Sequence, residues 1–264
     1  MLFRSDRKAE FPVPCETWTG SQPDFDERLD RVRDSHNQHE FYASPMDIYE
    51  PEGKWFSAPQ EALNGFRKMS GDGYYEGHSG INLAGGTGLF YVDVLNEKTG
   101  KIRNTNRGGT DWGEITATVD KELLYPGTNG SDVRRWGYDV PDTLLVPHDP
   151  DTGDAYSRED LKTKFLDTWN FLYHDDLNKK IGERKLYGSK LKNRKEVEHY
   201  LHAVGERMFS DYKTVYKDIS GGTYVDVQAA TISPKEFLGE EKPVMFAHTL
   251  MHVTSSSKEE AYYL

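Results

Sequence analysis

The sequence predicts an α+β protein, with a first half of short strands and turns and a second half in which helices and strands alternate. Three observations carry that expectation. Glycine is dense from Gly71 to Gly113, where Gly77, Gly80, Gly85, Gly86, Gly88, Gly100, Gly108 and Gly109 punctuate short apolar runs as turns do. Pro147-His148-Asp149-Pro150-Asp151-Thr152-Gly153-Asp154 is polar and rich in breakers, a candidate boundary. Beyond it the apolar residues recur at helical spacing.

Taken in order, Asp24 to Arg33 predicts a short helix, and Pro59 to Met69 another, with Pro in its first turn and Ala62, Leu63 and Phe66 on one face. Leu89 to Leu95 is the clearest strand, closed by a hairpin-like turn over Asn96-Glu97-Lys98-Thr99-Gly100. Ile115 to Val119 is a second strand, β-branched and alternating. Ser157-Arg158-Glu159-Asp160 opens a helix with a capping residue and an acidic first turn, and Leu161, Phe165, Trp169 and Tyr173 continue it. Arg194 to Tyr212 predicts another helix through Val197, Leu201, Val204 and Met208, and Thr223–Val227 and Val244–Val253 return to strands. The expected domains are residues 1–145 and a C-terminal α+β extension, 146–264, for target recognition or partner docking.

Composition narrows the function. Hydrophobic residues at 36% with 16 Tyr, 12 Phe and 5 Trp describe a folded chain with an aromatic core. A net charge of -11 argues against a broad nucleic-acid surface, which needs clustered Lys and Arg, yet permits a local basic pocket. A single cysteine, Cys15, excludes an internal disulfide. No apolar run approaches the ~18 residues of a membrane span, and Met1-Leu2-Phe3-Arg4-Ser5-Asp6 has no apolar signal-peptide core, so the expected setting is a cytosol.

Three short segments carry chemistry. Arg4 ends an apolar run, and its guanidinium offers a fixed fork of donors for phosphate, with Asp6 on the same strand face to orient it. About fifty residues on, Trp55-Phe56-Ser57 places a hydroxyl at the end of an aromatic strand, before a Pro-started helix. Asp120-Lys121-Glu122 supplies two carboxylates that a strand would point to one side. A carboxylate beside a ribose stabilises the positive charge that builds as a glycosidic bond breaks, and a second can act on the incoming nucleophile. Taken singly, the segments read more readily as a surface arginine, a buried aromatic strand and a solvated acidic edge strand.

Together, and in this order, they resemble the mono-ADP-ribosyltransferases of the cholera and pertussis toxin group. The stretches that match are Leu2 to Lys8, Gly53 to Leu63, and Asp120 to Gly127 running on to Trp136. The resemblance covers roughly residues 1 to 140 and implies a split β-sheet sandwich with flanking short helices, with NAD as substrate and no metal. It further implies that Arg4 and Asp6 hold NAD, Trp55 or Phe56 stacks near the nicotinamide, Ser57 braces the pocket, Glu122 is the catalytic glutamate and Asp120 stands at the acceptor-choosing position. The second segment has one hydroxyl where the family usually has a Ser-Thr-Ser triplet, and D-x-E stands where members carry E-x-E or Q-x-E. The expected activity is NAD-dependent ADP-ribosylation of a protein side chain by a toxin or delivered effector, with a protein target and a possible immunity partner. The alternatives are an NAD glycohydrolase on the same fold and a non-enzymatic interaction protein of a larger assembly.

Other residues offer weaker constellations. Cys15 with His248 or His252 would make a nucleophile pair, and His148-Asp149, His174-Asp175-Asp176 and His248 with His252 a metal site, but none has a recognisable ligand spacing. Gly85-Gly86-Thr87-Gly88 reads as preceding a strand, which would deprive it of phosphate-loop geometry. Val253-Thr254-Ser255-Ser256-Ser257 resembles the missing triplet, but it follows the acidic segment and reads as a terminal strand or tail.

Overall fold

A computed structural model describes residues 10–20, 28–69, 73–182, 197–217 and 228–264. Arg4, Asp6 and the 223–227 strand expectation lie outside these residues. The chain divides into two compact units, Met1–Tyr74 and Tyr75–Leu264.

Among the described residues the first unit is one antiparallel sheet with two helices. β1 (Val13–Thr19) leads through α1 (Leu29–Asp34) to β2 (Asn37–Pro45), which pairs on its other edge with β3 (Trp55–Ala58) before α2 (Gln60–Met69). Of the helix expected over Asp24–Arg33, residues 24–27 lie outside the described residues, and α1 runs Leu29–Asp34 from an extended Arg28, whereas Pro59 immediately precedes α2 as expected. Leu63 of α2 is buried.

The second unit holds several small sheets. It begins with β4 (His78–Ser79), a single helical turn α3 (Thr87–Phe90), and the meander β5 (Val92–Asn96), β6 (Lys101–Asn104) and β7 (Thr116–Thr118). β8 (Leu124–Thr128), the β9–β10 hairpin (Val133–Arg134 and Gly137–Tyr138) and β11 (Asp142–Leu145) follow, then the helices α4 (Arg158–Lys164), α5 (Leu166–Leu172) and α6 (Asp175–Gly182). The last part contributes β12 (Tyr212–Lys217), β13 (Ala229–Ile232), β14 (Lys235–Phe237), β15 (Glu240–Lys242), β16 (Met245–Phe246), β17 (Leu250–Ser255) and α7 (Lys258–Tyr263). The sheets run β11-β8-β16, with β16 parallel to β8, and β13-β12-β17-β4. Both join strands from before residue 145 to strands from after it, so where composition puts a boundary at 145/146 the backbone ladder runs straight across.

Local chemistry explains the elements that match expectation. In the β5–β6 turn the Asn96 side-chain oxygen accepts from the backbone N–H of Lys98 at 3.0 Å and Thr99 at 3.3 Å, a side-chain mimic of a turn. Gly100 closes it at φ 66°, where a Cβ would lie 2.2 Å from the Val119 carbonyl oxygen, so only glycine fits. Ser157 caps α4 by accepting from the Asp160 N–H at 3.0 Å.

Other elements differ. Leu89 and Phe90 belong to α3, so the expected Leu89–Leu95 strand begins only at Val92, and the Gly85–Gly88 run does open a helix, though of one turn. The helix begun at Ser157 breaks at Phe165 (φ -132°, ψ 60°) into α4 and α5. The 197–212 segment is not helical: Ala203 has φ 58°, His202 exchanges backbone hydrogen bonds with Asn82, a 3₁₀ turn spans Glu206–Phe209, and Tyr212 starts β12. Val197, Leu201, Val204 and Met208 are nevertheless all buried, so the apolar spacing reported burial and not helix. Val253–Ser257 forms the end of β17 and the cap of α7, whose Glu260 N–H donates to Ser257 Oγ at 3.1 Å.

Candidate functional site

Trp55, Phe56 and Ser57 form β3, in register with Pro45, Ser44 and Ala43 of β2. Alternation puts Trp55 and Ser57 on one face, and both are exposed, with Trp55 at 47%, while Phe56 is half-buried. The Trp55 indole N–H donates to the Pro51 carbonyl at 2.8 Å and its ring meets Phe11 edge-on at 5.3 Å, which fixes the side chain while leaving much of it open. The local picture of an aromatic-Ser strand followed by a helix therefore holds.

In the second unit, Asp120 and Glu122 do not share a strand face. Lys121–Leu123 is a 3₁₀ turn with Asp120 at its entry, in extended backbone (φ -70°, ψ 125°). Such a turn advances about 120° per residue, so residues two apart diverge. Leu123 goes into the core, Glu122 is exposed, and Asp120 turns to α5.

Asp120 supplies the cap that α5 lacks. Phe165, at the start of α5, makes no capping bond, and Asp120 Oδ2 accepts instead from the Thr168 N–H at 2.9 Å. The Asp120 N–H returns a bond to Thr168 Oγ1 at 3.0 Å, inside the fold where Thr168 is fully buried. This satisfies a first-turn donor and places a carboxylate at the positive end of a helix.

A second tie comes from Lys242 on β15. Its ammonium donates to the carbonyls of Lys121 at 2.7 Å, Glu122 at 3.3 Å and Leu124 at 3.0 Å, and pairs with Glu240 at 3.0 Å. Lys242 is buried, and its charge is offset by four oxygens and the Tyr125 ring at 5.1 Å. The turn bearing Glu122 is thus pinned from two directions, while the Glu122 carboxylate itself has no partner among the described residues.

A cleft of about 390 Å³ opens between β7, α5 and α6, walled by Trp112, Ile115, Ala117 and Phe171, with His174 and Lys180 among its polar lining and no residue of the Glu122 turn in its wall. Neither Lys242 nor this cleft is marked by any local spacing. Thr168 and Lys242 lie 48 and 120 positions from their partners Asp120 and Glu122.

The weaker constellations resolve differently. Cys15 is half-buried in β1, its thiol 3.6 Å from the Val13 carbonyl. His148 is a fold lock: Nδ1 donates to the Gly153 carbonyl at 3.0 Å, Nε2 accepts from the Leu201 N–H at 3.1 Å, and burial lowers its pKa to about 4. Among the described residues no cluster of three or more His, Cys, Asp or Glu is placed to hold a metal ion, and no helix is long and apolar enough to cross a membrane. No protein-family model matches the chain, and no curated protein matches it in sequence.

Proposed function

We propose that the protein is an NAD-dependent mono-ADP-ribosyltransferase that modifies a protein side chain, on an ADP-ribosyltransferase-like split-sheet fold. The observation that supports this reading is the presentation of Glu122, an exposed and unpartnered carboxylate on a turn held by Asp120–Thr168 and Lys242. A carboxylate with no partner of its own, carried on a backbone turn held from two sides, is free to meet a charge that appears only in the transition state. In this reading Glu122 bonds a ribose hydroxyl and stabilises the oxocarbenium-like centre as the bond from ribose to nicotinamide breaks. The bonding pair leaves with nicotinamide and neutralises its ring. The acceptor then donates a lone pair to the ribose carbon and loses its proton. The resemblance assigns Arg4 and Asp6 to the NAD phosphates and ribose, Ser57 to bracing the dinucleotide, and Trp55 or Phe56 to stacking on the nicotinamide.

The commitment of Asp120 to α5 favours a second reading, an NAD glycohydrolase. The carboxylate assigned to the acceptor is already used as a helix cap, and water needs no side chain to select it.

One experiment separates these. The full chain and Glu122→Ala are incubated with labelled NAD and a cell lysate, and both protein label and free nicotinamide are followed. Label lost in the variant supports the transferase, and nicotinamide without label supports the glycohydrolase. Full activity in Glu122→Ala, or neither signal from the unaltered chain, rejects the assignment.

A further inference from the structure

A second cleft in the same unit, about 360 Å³, opens between the β9–β10 hairpin, β12, β13 and the C-terminal helix α7. Trp136, Tyr138, Thr214, Ala230, Tyr262 and Leu264 line it. Its aromatic rim is unusually open, with Trp136 81% and Tyr262 66% exposed. Trp136 also sits at the hairpin turn with φ 67°, a left-handed conformation unfavourable for a bulky residue, fixed by its N–H donating to the Ala229 carbonyl at 2.9 Å. The fold thus holds an indole in water, on strained backbone, where burial gains nothing from it.

Each rim aromatic carries its own cation. The Arg135 guanidinium lies 5.6 Å from the Trp136 ring centre, the Lys235 ammonium 5.1 Å from Tyr138, and the Lys258 ammonium 5.8 Å from Tyr262. Among the described residues none of these three cations has an ion-pair partner, and the nearby acid of the hairpin, Asp139, is already paired with Arg134. On a chain of net charge -11, three unpaired cations, each beside a ring that lines the cleft though none lines it itself, bring positive charge to its rim. The lining is apolar at Ala230 and Leu264, and the Thr214 and Thr231 hydroxyls are spent on the Ala261 carbonyl, at 2.5 and 3.0 Å. The cleft therefore offers flat faces and positive charge, with few free polar groups to read a hydrogen-bond pattern.

That combination fits a ligand with a planar ring joined to phosphate. We propose that this cleft binds a nucleotide unit, its base stacked on the Trp136, Tyr138 and Tyr262 rim and its phosphate held by Arg135, Lys235 and Lys258. The same chemistry is presented by a free nucleotide and by a nucleotide within a single strand. An acidic peptide would use the cations but leave the faces idle. The inference goes beyond the transferase reading: Trp136 ends the third stretch of that resemblance, but none of these residues is given a role in NAD cleavage.

The test is calorimetric titration of the full chain, at low and moderate salt, with ATP and with a short oligothymidylate. Trp136→Ala and the double variant Lys235→Glu/Lys258→Glu stand beside it. The side chains changed are exposed, so the fold is retained, and circular dichroism verifies it. Loss of one stacking face weakens binding at least about 5-fold. Three phosphate contacts to a strand give a slope of about -2 for log affinity against log salt, and the double variant reduces it to about -0.7. Binding of ATP identifies a free-nucleotide site, and binding of the strand alone identifies a single-strand site. Both support the proposal. No binding of either probe at about 1 mM and low salt, or binding unchanged in Trp136→Ala and in the double variant, overturns it.

Discussion

Lowering the pH from 7.5 to 5 destabilises the Tyr75–Leu264 unit through two buried histidines. His148 is fully buried with its pKa lowered to about 4, and His252 is 2% exposed with its pKa lowered to about 3, chiefly by burial and then by the charges of Lys213 and His78. An unfolded chain titrates both near 6.5. The folded pKa values lie below the unfolded ones, so each group favours folding above pH 6.5 and loses that contribution as pH falls from 6.5 towards 4 for His148 and towards 3 for His252. At pH 5 the unfolded imidazoles are almost wholly protonated and the folded ones are not, a difference of about 2 kcal/mol per histidine and about 4 kcal/mol together. That is a large part of the ~5–15 kcal/mol that stabilises an ordinary domain. Urea unfolding followed by circular dichroism at pH 7.5, 6 and 5, at constant ionic strength, reads it as a midpoint lower by about 1–2 M. His148→Gln keeps a donor and an acceptor without a titrating ring, so it halves the pH dependence whatever its own cost. A midpoint unchanged between pH 7.5 and 5, or a full pH dependence in His148→Gln, refutes the reasoning.

Asp120→Ala removes the cap of α5 and lowers stability by about 1 kcal/mol, read as a melting temperature lower by about 2–4 °C. The same variant leaves NAD hydrolysis intact if Asp120 only positions α5. Lys242→Met leaves three carbonyls of the Glu122 turn without their donor and costs about 1–3 kcal/mol. Hydrogen exchange at the Leu123 N–H, which donates to Asp120 at 3.1 Å, and at the Val146 N–H, which donates to Leu123 at 2.8 Å, accelerates in this variant. Lys213 is fully buried with its pKa lowered to about 7 by burial, so wild-type stability rises by about 2 kcal/mol from pH 7 to 9 as the unfolded lysine begins to lose its advantage of charge. Lys213→Met abolishes that rise, and its urea midpoint at pH 7 exceeds that of the wild type.

What was legible in the sequence was what neighbours in the chain decide. The Asn96–Gly100 turn, the Ser157 cap and the strand-to-helix step at Trp55–Gln60 each rest on bonds or dihedrals within a few residues, and each formed as expected. The α+β class followed from the same punctuation. The 197–212 segment misled because a helix and an irregular buried segment can bury the same residues. What separates them is where the backbone bonds go, and here the partners are Asn82 and the His148 ring, 120 and 53 positions away. The break at Phe165 was equally hidden, since its apolar spacing continues on both sides.

The candidate site shows the same division more sharply. Alternation on a strand would have aimed Asp120 and Glu122 at one ligand, but the 3₁₀ turn splits them, and the long-range ties then set their roles. Asp120 is drawn to α5 because that helix has no cap of its own, and Lys242 fills the acceptors that the turn leaves open. Both ties act on backbone or on Asp120, and neither touches the Glu122 carboxylate. A purely structural acidic turn would be expected to use its second carboxylate as it uses the first, particularly with a lysine ammonium at hand. The lysine instead pairs with Glu240 and spends its remaining donors on carbonyls, so of the turn's two acids the one left free stands on backbone that is held from both sides.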